Sequence, residues 1–423
     1  MRKKSNLIMT GLAALTGLGI IAWIYQLSTG LISTDMRNGF SWGLYIATWA
    51  FFVGTAAGGL VVSSAIYLFN AKQLKPVAKV ASLTAFLFAM GAMIILLPDI
   101  GRPDRLYQFV LHPNFKSMLP WDVVVLSSYA IVSAVYSYIL LYPDIAARGI
   151  KLPFMGTVCK RNLNEAELVK LRETSDRRAK CLAPVALPLA ILIHTVTAWV
   201  LATQMARPWW YGGVLAPTFI AAALATGPAI VILASLFVFG YKKSLEETYK
   251  LLAKVSAVSS IIMLFIYYND FVVRLWWSAG REYEALKIVF TNYPMFHITE
   301  VFFILLATVI FIKYPKDPAK LVLGSISVIV GVFAHRILLL PPAYNIVPLR
   351  LPVMLHNETV EWSYPIAVGQ LRGTLMHPER IFVSFYDYFP SSVEIMITVG
   401  VMALLGLAFL SLVKMLPIME ANE

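Results

Sequence analysis

Ionisable side chains are costly inside apolar segments and mark functional positions by default. Seven of them in this chain of 423 residues fall toward one end of long apolar runs: Asp99, Asp270, Arg274, His297, Glu300, His335 and Arg336. Asp270 and Arg274 are four residues apart and His297 and Glu300 three, so each pair can meet on one helix face. Either pair could simply neutralise itself and anchor a helix end. Glu300 lies several residues inside its run, roughly 8–10 Å below the surface at about 1.5 Å per residue. A carboxyl and an imidazole at that depth suit proton exchange with a quinol, whose oxidation releases protons together with electrons. His194 is deeper still. It precedes Arg207 by 13 residues, which places it about 15–20 Å from the end of its run. Thr197 and Gln204 share its helical face, so a polar stripe is expected from His194 toward the surface. A lone satisfied histidine is the plainer reading of His194. Haem ligation would need a second histidine at matching depth, which the sequence lacks.

The elements that position these groups follow from composition. Hydrophobic residues make up 59% of the chain and charged residues 14%, with a mean hydropathy of +0.73, so a bilayer is its natural solvent. Ten apolar runs are long enough to cross about 30 Å of hydrocarbon. They lie near residues 7–25, 41–69, 76–97, 121–142, 183–204, 215–240, 253–275, 295–313, 320–340 and 393–416. The expected fold is therefore all-α and polytopic.

Ten crossings put both termini on one side, and 23 of the 35 Lys and Arg residues fall on that side. The positive-inside rule makes it cytoplasmic, in an inner (cytoplasmic) membrane, with the seven ionisable groups facing out. The +12 charge is spread in short clusters between spans, so it points to membrane orientation and not to nucleic acid. Cys159 and Cys181 are the only cysteines and no CxxCH occurs, so the chain is not expected to bind an iron–sulfur cluster or covalent haem itself. Met1-Arg-Lys-Lys followed by an apolar run resembles a signal peptide, but no small-residue cleavage site follows, and it reads as a first retained helix.

The connection 143–182 is expected on the cytoplasmic side. Asn164-Glu-Ala-Glu167 there reads as a cap for a charged, interfacial helix. The outer connection 341–392 is rich in Pro, Tyr, Trp and Phe and is expected to cap the outer mouth of the bundle or dock a partner. Small residues at Gly54, Ala56, Ala57, Gly58 and Gly59, and again from Ala221 to Gly227, allow close helix approach. The pairing of Gly54-Thr55 with Thr226-Gly227 hints at an internal duplication.

An ordered set of motifs gives these features a context. Trp42-Gly-Leu-Tyr-Ile-Ala followed by Phe52-Val-Gly-Thr-Ala-Ala-Gly-Gly59 resembles the opening helix of the NrfD-like family, the membrane subunits of polysulfide reductase and its kin. Pro98-Asp-Ile-Gly-Arg-Pro-Asp-Arg105, Leu111-His-Pro-Asn114 and Pro120-Trp-Asp122 resemble that family's outer loop. His194-Thr-Val-Thr-Ala-Trp199, Ala206-Arg-Pro-Trp209, Ala216-Pro-Thr-Phe219 and Gly331-Val-Phe-Ala-His-Arg336 are similar to its ten-helix branch.

The resemblance implies two four-helix bundles with extra helices at the ends and an exchangeable menaquinone or ubiquinone near the outer surface. It also implies a ferredoxin-like iron–sulfur subunit docked on that surface, relaying electrons to or from a molybdopterin, hydrogenase or multihaem cytochrome catalytic subunit. One departure matters. Where the polysulfide reductase branch has a His and an Asn against quinone on the first bundle helix, this chain offers Tyr45 and Trp49, which moves the proton chemistry to Asp99, His194, His297 and Glu300. Tyr45, Trp49 and Tyr107 would shape the ring pocket. Arg102, Arg105 and Arg207 would dock an acidic partner or orient the head group, with a lipid anchor an equal reading for Arg207.

The division that follows is an N-terminal helix and outer loop (1–40), a quinone-interacting core (41–340), an outer loop (341–392) and a C-terminal helix (393–423). The rivals are a secondary transporter, whose spans would break near midplane at Pro184, Pro188 or Pro228, and a haem b anchor.

Overall fold

Within hydrocarbon every backbone N–H and C=O must be satisfied inside its own segment, and the apolar runs accordingly fold as helices. The computed structural model describes residues 2–37, 40–148, 151–152, 156–157, 164–345, 351–355, 358–362, 388–416 and 418. In chain order the helices are α1 (Arg2–Thr29), α2 (Leu44–Leu68), α3 (Ala78–Asp99), α4 (Leu106–Leu111), α5 (Met118–Arg148), α6 (Glu165–Ala202), α7 (Leu215–Phe239), α8 (Glu246–Trp277), α9 (Gly280–Thr291), α10 (Pro294–Lys313), α11 (Pro318–Ile337), α12 (Pro341–Tyr344) and α13 (Ser392–Met415). Ten of the helical segments are long and apolar enough to cross a membrane. The remaining α4, α9 and α12 are short pieces in connections. Two antiparallel hairpins, β1–β2 (Lys151–Leu152 with Gly156–Thr157) and β3–β4 (Leu351–Leu355 with Glu358–Trp362), complete the described elements.

The spans sort into two four-helix bundles. Helices α2, α3, α5 and α6 pack around one core, and α7, α8, α10 and α11 around the other. The first helix of each bundle forms the seam: α2 crosses α7 where Gly58 meets Gly227 backbone to backbone, and a Cβ on either would overlap the other's main chain. The two small-residue runs that hinted at a duplication are thus the two sides of one crossing. Helices α1 and α13 pair with each other and lie against α3. Large apolar side chains such as Leu7, Ile21, Phe265, Phe302 and Ile312 are exposed on the outside, as lipid-facing positions must be.

One expectation needs correction, and one requirement of the transporter reading is not met. The charged stretch after Asn164 is not a separate interfacial helix. Asn164 and Glu167 do form a capping box, but the helix they start runs 38 residues without interruption into the fifth span. Pro184 and Pro188 in α6, and Pro228 in α7, sit inside continuous helices, so none of them breaks a span at midplane. The segment 341–392 is described only at its ends and at β3–β4. Those ends meet at Phe40, on which Tyr344 and Tyr388 both pack, at 5.0 and 4.3 Å between ring centroids. Cys159 lies outside the described residues, and Cys181 is exposed.

Candidate functional site

Two buried polar clusters occupy the same end of the spans, one in each half of the molecule. The first is built on the approach of α10 to α11. A Cβ at Gly331 would lie 3.1 Å from the Glu300 carbonyl oxygen and 2.7 Å from Ile304 Cγ1, so only glycine lets these helices come so close. One turn further along α11, His335 thereby reaches Glu300, with Nδ1 2.9 Å from Oε1. Glu300 is fully buried and His335 1% exposed. The other oxygen, Oε2, faces His297 Nδ1 at 3.7 Å, and His297 Nε2 shares a hydrogen bond of 2.9 Å with the Tyr268 hydroxyl. Tyr267 stands edge-on to the His335 ring at 4.7 Å. The carboxylate is therefore held between two imidazoles, one of which continues to a phenol on α8.

Arg336, next to His335, extends this cluster toward the seam. It is fully buried, its guanidinium lies 3.7 Å over the Phe219 ring of α7, and a Cβ at Gly54 of α2 would stand 3.7 Å from Nη2. None of its three nitrogens has a hydrogen-bond partner among the described residues. Its charge acts on Glu300 in one direction and on His194 of α6 in the other. His194 is itself buried with both ring nitrogens unpartnered among the described residues. Arg336 thus brings an ionisable group of the second bundle to the seam with α2.

The expected stripe outward from His194 is not formed. Thr197 instead donates to Asp122 Oδ1 of α5 at 2.6 Å, and Gln204 is exposed beyond the end of α6, bonded to the Val200 carbonyl.

The second cluster joins α1, α2, α3 and α13. Asp99 closes α3, with Oδ1 buried and unpartnered among the described residues. Beside it Gln26 of α1 donates to the Pro98 carbonyl at 2.7 Å and accepts from the Tyr45 hydroxyl at 2.5 Å. Trp49 follows Tyr45 by one turn of α2, is 3% exposed, and leaves its indole N–H without a partner among the described residues. Glu394, the capping-box residue of α13, is fully buried and acts electrostatically on both Asp99 and Tyr45. It accepts from the Asp35 and Ser391 amides at 2.9 Å and from the Tyr388 hydroxyl at 2.5 Å. Burial, reinforced by the Glu394 charge, pushes the Tyr388 hydroxyl far above its ordinary range, which keeps it a donor.

An apolar crevice of about 1050 Å³ opens on the lipid side between the bundles and α13. Its wall includes Phe51 and Phe52, just past Trp49 on α2, and Phe296, Thr299 and Phe333, neighbours in sequence of the Glu300 cluster.

The remaining predicted residues lie elsewhere. Tyr107 is 59% exposed on α4. Arg102 and Arg105 flank it on the same surface, where the Arg102 guanidinium donates to Asp104 and holds that carboxyl below the usual carboxylate range. Arg207 belongs to the aromatic cap: it stacks on Tyr344 at 4.3 Å and donates to the Ala343 carbonyl at 3.1 Å. Asp270 and Arg274 pair at 2.6 Å as their spacing required, and Arg274 also ties α8 to the Pro208 carbonyl. Sequence reasoning left out Gln26, Tyr268 and Glu394, and named His335 without giving it a role beside Glu300. Glu394 carried a signal, as an ionisable residue in an apolar helix. Gln26 and Tyr268 carried none, because their roles exist only once distant helices meet.

The family described as polysulphide reductase, NrfD, matches residues 32–348, which span both bundles, the Glu300 cluster and, of the second cluster, Tyr45, Trp49 and Asp99. The chain belongs to the NrfD family. Among NrfD-type relatives, a putative dimethyl sulfoxide reductase membrane subunit of Halobacterium salinarum is 40% identical over 53% of this chain and 50% of its own length. The match thus covers about half of that protein. A selenate reductase subunit of Mesobacillus selenatarsenatis is 24% identical over 99% of this chain and 95% of its own. An Hdr-like menaquinol oxidoreductase integral membrane subunit of Archaeoglobus fulgidus is 23% identical over 61% and 56%.

Proposed function

We propose that this chain is the membrane subunit of a respiratory redox complex and exchanges electrons between a menaquinol- or ubiquinol-type carrier and an iron–sulfur subunit. The observation that carries this reading is the gathering of buried proton-exchanging groups at one end of the spans, beside a lipid-side crevice wide enough for an isoprenoid tail. The names of the relatives, reductase subunits and a menaquinol oxidoreductase membrane subunit, support it.

The residues fit a quinol head group. A quinol donates through two hydroxyls and the quinone accepts through two carbonyls. Asp99 Oδ1 offers an acceptor and Trp49 Nε1 a donor, both buried and without partners among the described residues. Tyr45, held by Gln26, walls the ring pocket. As the quinol passes its two electrons to the iron–sulfur subunit it releases two protons, one of which Asp99 would take from a hydroxyl while the other would leave by way of the Glu300 cluster. Glu300 exchanges protons with His335 and His297, and His297 with Tyr268, while His194 and Arg336 set the field between the bundles.

With the Lys- and Arg-rich side cytoplasmic, this chemistry faces outward. The iron–sulfur subunit docks on the surface that carries Arg102, Arg105 and Tyr107, where α4 also exposes Val110 and Leu111. Arg207, fixed in the cap, positions that surface.

Affinity purification of the tagged chain from its own membranes, with mass spectrometry and quinone extraction, tests the assignment. An iron–sulfur subunit should come with it, together with a molybdopterin, nickel–iron or multihaem catalytic subunit and bound quinone. A chain that reproducibly purifies alone and without quinone contradicts it.

A further inference from the structure

At the opposite end of the spans, the Lys- and Arg-rich end, a cleft of about 420 Å³ opens where α2, α3, α5, α6 and α7 terminate or emerge. Five cationic side chains line it, Lys72, Lys75, Lys79, Arg172 and Lys242, against two carboxylates, Asp144 and Asp176. Both carboxylates are hubs that hold the wall in place. Asp144, with a side chain only 10% exposed, takes Lys79 Nζ at 2.8 Å and Arg172 Nη2 at 3.3 Å. Asp176 takes Lys75 Nζ at 2.5 Å and the Tyr67 hydroxyl at 3.0 Å. Counted over the described lining residues, the formal charge is +3.

Low-dielectric walls focus a charge excess of this kind into the cleft, which selects for an anion. Apart from Ser175 and the Tyr67 hydroxyl, the rest of the described lining is apolar, with Ala78, Leu140, Phe239 and Ile418 beside the charged groups. A free inorganic anion would use only the charged half. A molecule with a phosphate head and acyl chains would use both.

We propose that this cleft binds the head group of an anionic phospholipid. The lining comes from both bundles, with Tyr67, Lys79, Asp144 and Arg172 from the first and Phe239, Lys242 and Leu245 from the second or its connection, so the bound lipid ties the halves together. Neither the quinol cluster nor the partner surface takes part. The site is a lipid-dependent brace on the far side of the molecule from the proposed redox chemistry.

The test uses the full chain, purified with whatever subunits accompany it, and follows thermal unfolding and native mass spectra during titration with cardiolipin. Phosphatidylcholine and inorganic phosphate form separate arms. Cardiolipin should bind and raise the unfolding temperature, with an affinity that falls as NaCl rises. The double variant Lys72→Gln/Lys242→Gln should weaken binding by about fivefold per lysine, about 25-fold in all. A matched control, Lys116→Gln/Lys287→Gln, should bind as the unaltered chain does. The proposal is overturned if the double variant binds cardiolipin equally well, if phosphatidylcholine stabilises to the same extent, or if inorganic phosphate alone reproduces the effect, which would make the cleft a free-anion site. The salt titration on the unaltered protein decides the matter even if the variant accumulates poorly, because salt-insensitive binding also overturns it.

Discussion

A carboxylate with no exposure must share its charge or its proton with a neighbour, and Glu300 divides that role unequally between two histidines. His335 is 2.9 Å away and buried, whereas His297 stands at 3.7 Å and is partly engaged by Tyr268. Removing the closer imidazole leaves a buried acid with its weaker partner alone. We therefore expect His335→Leu to destabilise the protein by about 3 kcal/mol or more, and His297→Leu by clearly less, measured by thermal unfolding in mild detergent. Equal effects would mean that the two imidazoles serve Glu300 equally. Glu300→Gln keeps the shape and a hydrogen bond, so it should assemble with its partners while losing proton exchange. The His297–Glu300 pair was legible because both residues sit on one helix at a spacing that fixes their contact. His335 was visible as an ionisable residue but not as the nearer partner, because that contact depends on how two helices cross.

Crossings are set by small residues, and here the sequence spoke plainly without saying which run meets which. Gly58 and Gly227 lie against each other at the seam of the bundles, so a larger side chain at either must push α2 from α7. Gly58→Leu or Gly227→Leu should destabilise by at least about 1–3 kcal/mol and lower the amount of folded protein recovered, as judged by size-exclusion chromatography. Gly213→Ala, which meets nothing within 4 Å, is the matched control and should change neither quantity. Helix existence was legible throughout, since ten long apolar runs in lipid have no alternative conformation. Helix length was less so: the charged first third of α6 looked like a separate interfacial piece because a polarity change in sequence resembles a boundary, whereas the helix itself continues through it into the span. The Asp99 cluster was half legible. Asp99, Tyr45 and Trp49 come from neighbouring spans, but Gln26 and Glu394 arrive with the α1–α13 pair, which joins the two ends of the chain.

The whole molecule is polarised. Most of its Lys and Arg residues gather at one end of the spans, its buried ionisable clusters lie at the other, and an apolar crevice runs between the bundles and α13. This arrangement predicts orientation directly. A fluorescent protein fused after residue 423 should mature on the cytoplasmic side, and a cysteine introduced at Lys287 of α9 should be labelled by an impermeant thiol reagent from outside; the reverse pattern would place the redox chemistry on the wrong face.

If the buried clusters handle the protons of a quinol whose electrons pass to the iron–sulfur subunit, the most direct measurement is menaquinol turnover by the assembled complex in membranes carrying Asp99→Asn or Glu300→Gln, with subunit content checked in parallel. The account predicts normal assembly and a turnover reduced by about 100-fold or more for Asp99→Asn, with a clear loss for Glu300→Gln. Full turnover in both variants, with the complex intact, would contradict it.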